Sequence, residues 1–137
     1  MLINPPQCSI QTETVVQIDE AARLALSAQH AEQGQVILHV TYNSTDVMEW
    51  IRIWPTTYLV PFPASEKVQL IHAYNIGIYP NWLTIPANKP HIFTLVFGAL
   101  PKSCSSFDLW EKIPEPGGFL IRDIQRNKSD VYHLKMH

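Results

Sequence analysis

Charge is scarce in this chain. Asp, Glu, Lys and Arg make up 16% of its 137 residues, against about 25% in an ordinary globular protein. The two signs nearly cancel, leaving a formal charge of −2. No global basic field exists to hold a phosphate backbone, so nucleic acid is not an expected partner. Long apolar runs are missing as well. None approaches the ~18 residues of a membrane span, so no membrane partner is expected. The first residues, MLINPPQCSI, lack both a basic segment and a long apolar one, so they do not read as a signal peptide. A cytoplasmic protein fits this, and so does an exported domain that has lost its leader; the compartment stays open.

Cysteine is limited to Cys8 and Cys104. Two cysteines with no spacing motif are more often free thiols than a disulfide, and the sequence leaves the choice open. The six histidines, His30, His39, His72, His91, His133 and His137, show no His-x-His spacing and no Cys-x-x-Cys accompanies them. No metal site and no cofactor are therefore expected. Ser103, Cys104, Ser105 and Ser106 lie in a turn without the Gly-x-Ser-x-Gly elbow that exposes a nucleophile. Asp108 and Glu111 read as residues that finish a strand and cap a turn. These absences point to a protein that is not an enzyme.

What is abundant is proline and alternation. The eleven prolines mostly fall between apolar segments. Proline removes a ladder donor and is confined to turns, edges and bulges, which favours many short strands over long helices. Val36, Leu38, Val40 and Tyr42 alternate against Ile37, His39 and Thr41. Trp50, Arg52 and Trp54 alternate against Ile51 and Ile53. Val68, Leu70, His72 and Tyr74 align on one side of a further strand. From His91 to Phe97 both faces are apolar, which predicts a central strand packed on two sides. Pro61 to Ser65 reads as a loop, and Asn75 to Pro90 as a long connection with one short strand. Further strands are predicted over 9–18, 107–110, 118–124 and 131–136. Residues 1–7 read as an extended lead-in. Over 20–33 the Ala-rich spacing predicts a helix, capped by Asp19 and stopped by Gly34, over a rival strand through Leu24–Ser27. The expectation is one domain over 1–137: mainly β, an antiparallel sandwich of about seven to nine strands with that one short helix.

A set of pieces carries a further resemblance. These are Trp50-Ile51-Arg52-Ile53, Thr57-Tyr58-Leu59, Ile71 to Ile76, Phe93 to Phe97, Leu100-Pro101-Lys102, Phe107 to Glu111 and Gly118 to Ile121. Their order resembles an immunoglobulin-like β-sandwich of uncharacterised bacterial proteins, mainly of the Bacteroidota. The likeness spans about residues 50–124 and consists of core and turn residues. It implies an immunoglobulin-like fold and an accessory role, sometimes beside thioredoxin-like domains. It transfers no site residue, and residues 1–40 do not match it.

Five residues are candidates for binding: Trp50, Arg52, Trp54, Tyr79 and Trp82. On a strand the first three point the same way about 7 Å apart, so a guanidinium can stack between indoles. The competing reading is a core Trp pair with a snorkelling arginine. Tyr79 and Trp82 sit in a proline-rich connection, where they either plug the end of the sandwich or meet a ligand. The leading expectation is a non-enzymatic interaction or accessory module that meets a protein partner or a second copy of itself. The alternative is a carbohydrate- or small-ligand-binding module using the same aromatics.

Overall fold

A computed structural model of the chain describes residues 6–8, 34–63 and 66–136. The helix expected over 20–33 and the strand expected over 9–18 lie outside those residues. The strands are β1 (Pro6–Cys8), β2 (Val36–Asn43), β3 (Glu49–Ile53), β4 (Thr57–Phe62), β5 (Val68–Tyr74), β6 (Gly77–Ile78), β7 (Leu83–Ile85), β8 (Pro90–Phe97), β9 (Ser106–Glu111), β10 (Leu120–Gln125) and β11 (Val131–Met136). Among the described residues no helix is long and apolar enough to cross a membrane.

Eight strands hydrogen-bond in the order β1-β11-β2-β8-β5-β4-β9-β10, and three more in the order β6-β3-β7. Strand β5 turns the corner in the larger set. Its first residues pair with β4, Val68 opposite Leu59, and its later ones with β8, Ala73 opposite Leu95. A bulge between Leu70 and His72 separates the two halves. One extra residue in a strand bends it and shifts its side-chain phase. The four residues expected to align therefore part: Val68 and Leu70 pack on the core together with Ala73, while His72 and Tyr74 are exposed.

The chain is mainly β, as the alternation predicts, but the sheets are mixed. Strand β11 runs parallel to β2, from Val131 opposite Ile37 to Met136 opposite Tyr42, and β3 runs parallel to β6. Wholly antiparallel pairing was the expectation. Strands β2 and β11 are far apart in sequence, and the chain between them provides the crossover that parallel neighbours require. Three smaller differences follow the same logic. Pro6 and Gln7, expected as lead-in, belong to β1, which pairs with β11. Residues 75–90 hold two short strands. Strand β4 continues through Pro61, opposite Phe107. Because β4 meets β5 only at Tyr58 and Leu59, it is locally an edge at Pro61, where a missing donor costs nothing.

The core collects one face of each main strand. Val36, Leu38, Val40 and Tyr42 from β2 join Phe93, Leu95 and Phe97 from β8 and Leu134 and Met136 from β11. Opposite them stand Leu59, Phe107, Leu109, Ile121 and Ile124, with Ile51, Ile53 and Ile85 from the small sheet. Phe107 meets Tyr132 edge-on at 5.0 Å between centroids, a preferred geometry for aromatic pairs. The reverse face of β2 and β8 is also covered at Ile37 and Val96, in keeping with the two-sided strand read from 91–97. Cys104 is a buried free thiol. Arg126 ties the 101–104 turn to the connection between β10 and β11, donating to the Pro101 and Cys104 carbonyls and to both carboxylate oxygens of Asp130.

Candidate binding surface

The small sheet turns Ile51 and Ile53 into the core and leaves the intervening side chains outward. That is the two-residue period of a half-buried strand. Trp50 is 56% exposed, Trp82 46% and Tyr79 40%, while Arg52 and Trp54 are half-buried. The Trp50/Arg52/Trp54 face is therefore a surface and not a core Trp pair.

The turn after β6 brings the remaining aromatics to it. The Tyr79 amide donates to the Ile53 carbonyl at 2.9 Å, and the Asn81 amide to Ile78 at 2.8 Å. Gly77 permits this tight return: a Cβ there would stand 2.5 Å from the Asn81 carbonyl oxygen. The outcome is a chain of ring contacts. Trp54 stacks on Tyr79 with centroids 3.8 Å apart and planes 25° from parallel. The guanidinium carbon of Arg52 lies 3.9 Å from the Trp82 centroid, 4.6 Å from Tyr79 and 5.8 Å from Trp54. All three distances are within the range over which a ring quadrupole attracts a cation. Arg52 also donates to the Pro80 carbonyl at 3.2 Å. Its buried Nε has no hydrogen-bond partner among the described residues. Four of the five candidate residues thus meet in one cluster. Trp50 stands beside them on the same strand face, opposite Thr84 of β7.

Beneath the cluster lies a residue that sequence reasoning gave no part in a site. Glu111 is 1% exposed. One carboxylate oxygen accepts the Trp54 amide at 3.1 Å, and the other has no hydrogen-bond partner of good geometry among the described residues. Burial raises its pKa to about 7, against the opposing pull of the Trp54 hydrogen bond, the nearby Phe119 amide and the charge of Arg52. It ends β9 as expected, but its side chain turns inward to the Trp54 amide instead of capping a turn. The signal was present: Phe107, Leu109 and Glu111 share one face of β9, and the first two are core residues.

The other chemistry-bearing residues do not converge. His39 faces His133 across the parallel pair, with rings 5.2 Å apart, and bonds Thr94. His72 tilts against Tyr74. The Cys104 thiol donates to the Ser106 carbonyl. Cys104 and Ser105 line an open depression with Lys102, Arg126, Asn127, Lys128 and Asp130, and no histidine among the described residues lines it. No group of three His, Cys, Asp or Glu among the described residues is placed to hold a metal ion. Comparison with family models, with curated proteins and with solved structures finds no match for this chain.

Proposed function

We propose that the chain is a non-catalytic interaction module, related to the immunoglobulin-like accessory domains that its central segment resembles. Its contact surface is the outward face of β3 with the turn that follows β6. The observation that carries this reading is the exposed cluster of Trp50, Tyr79 and Trp82 around Arg52. Trp, Tyr and Arg are the residue types that dominate binding energy at protein interfaces, and a pre-ordered cluster loses less entropy on binding. No acidic side chain among the described residues forms an ion pair with Arg52. The partner is therefore a protein surface that offers apolar side chains to the indoles and a carboxylate to the guanidinium.

The same aromatics also suit the carbohydrate alternative, but one observation favours protein. Sugar stacking needs free ring faces, whereas the Arg52 guanidinium and the Trp54–Tyr79 stack already occupy faces of three rings. A photo-reactive amino acid at position 50 or 82, in cells that make the protein natively, tests the choice. A discrete cross-linked protein from both positions, lost with Arg52→Ala and absent from a control at Gln69, is the expected result. No adduct above that control, with Trp82 responding instead to a neutral saccharide, sinks the protein reading.

A further inference from the structure

The depression beside Cys104 lies between two chain connections, and each carries a lysine into it. Lys102 belongs to the connection between β8 and β9, and Lys128 to the one between β10 and β11. Arg126 braces the two against each other. Its guanidinium donates to the Pro101 and Cys104 carbonyls of the first and to the Asp130 carboxylate of the second. The second is also fixed from within: the Asn127 carboxamide accepts the Asp130 amide at 2.7 Å and donates to the Val131 carbonyl at 2.9 Å. Charge in the depression is unbalanced. Lys102, Arg126 and Lys128 line it against one acid, Asp130, a surplus of two positive charges. Both oxygens of that acid are committed, one to Arg126 and the Tyr132 hydroxyl and the other to Arg126. Arg126 and Asp130 make the one ion pair among the described residues, so the two exposed lysines have no ion-pair partner there. The space that the two connections border is about 550 Å³, within the size range of small-ligand sites.

We infer that this depression binds a small phosphomonoester, with its phosphate held by Lys102 and Lys128. Like charges on one concave surface without a counter-ion favour an anion there, and a phosphate dianion matches the surplus of two. A charge-assisted bond to ammonium is about twice as strong as a neutral one. A lone phosphate fills a small part of the space, so an organic portion fits beside it, and the exposed Ser105 hydroxyl on the lining is open to that portion. No aromatic ring among the described residues lines the depression, which leaves nothing to stack a nucleobase. A long polyanion is disfavoured because the chain as a whole carries a formal charge of −2, so the positive field does not extend beyond the depression. The site shares no residue with the β3 surface and stands or falls without it.

Backbone amide resonances, followed at constant ionic strength, test this directly. Glucose 6-phosphate is expected to move the amides of Lys102, Ser105, Asn127 and Lys128 saturably in the millimolar range. Inorganic phosphate should act several-fold more weakly, and glucose should leave them still. The Lys102→Gln/Lys128→Gln double variant is expected to weaken the glucose 6-phosphate response about tenfold. Both lysines are exposed, so unshifted amides in β2 and β8 will report an intact fold in that variant. Amides that stay still, that move equally for inorganic phosphate or for glucose, or that respond unchanged in the double variant overturn the assignment.

Discussion

The buried carboxylate of Glu111 holds the backbone amide of Trp54 at 3.1 Å. That bond links the core end of β9 to the strand that carries the exposed aromatic cluster. The other oxygen of the same carboxylate is buried with no hydrogen-bond partner of good geometry among the described residues. An acid in this setting favours its neutral form, because only the protonated group can be both buried and uncharged.

Stability should therefore fall as pH rises through this group's range. The folded-state pKa of Glu111 is about 7, raised from an ordinary 4.5. Below about 4.5 the acid is neutral in both states and its stabilising effect is complete. Between there and about 7 the folded state binds more protons than the unfolded one, so the effect is lost progressively. The loss amounts to roughly 3 kcal/mol. Glu111→Gln keeps an acceptor for Trp54 and removes the titration. Denaturant unfolding of both proteins at pH 5 and pH 8 checks this: the variant should gain on the wild type by about that amount at the higher pH. An unchanged difference between the two pH values would mean that Glu111 does not titrate there.

Arg52 should act on the aromatic cluster through its rings more than through hydrogen bonds. Arg52→Ala is expected to cost about 1–2 kcal/mol, the scale of a partly desolvated cation–π contact plus lost packing. It should also make tryptophan emission more accessible to a neutral quencher such as acrylamide. Arg52→Lys should recover only part of this, since ammonium is a point charge and cannot stack as a plane. Full recovery by lysine would remove the stacking argument.

Gly77 should resist substitution for reasons of space. An added methyl would press on the Asn81 backbone, and backbone yields less readily than a flexible side chain. Gly77→Ala is expected to destabilise by about 1–3 kcal/mol and to loosen the turn carrying Tyr79 and Trp82. Loss of the upfield ring-current shifts of Tyr79 in an NMR spectrum would report that loosening. A spectrum and a stability like those of the wild type would show that the turn accommodates the methyl.

Two aromatic truncations separate surface from core. Trp50 is more than half exposed while Phe93 is fully buried. Phe93→Ala should cost about 3–5 kcal/mol through lost burial and a residual cavity, whereas Trp50→Ala should stay within about 0.5 kcal/mol. Thermal unfolding of the two variants side by side decides it, and comparable losses would place Trp50 in a packed environment.

Much of the strand framework was legible because alternation is local. Val36 to Tyr42 and Phe93 to Phe97 each present a two-residue period, and both fall on the core side as that period predicts. Less legible was anything set by a single inserted residue. The bulge after Leu70 reverses the phase of His72 and Tyr74 without any marker in the residues themselves. Glu111 shows a different difficulty: its periodicity says inward and its charge says outward, and only the Trp54 amide waiting inside resolves the conflict.

Residue order alone was enough to specify a mainly β chain and the apolar faces of β2 and β8. Those properties follow from spacings of one or two residues, where sterics and burial act on neighbours. Partner choice between strands is another matter. The parallel docking of β11 on β2 and the gathering of Arg52, Trp54, Tyr79 and Trp82 depend on contacts between segments distant in sequence. Such contacts form only when the whole core closes, because each gains its free energy from apolar area and ring geometry contributed by several strands at once.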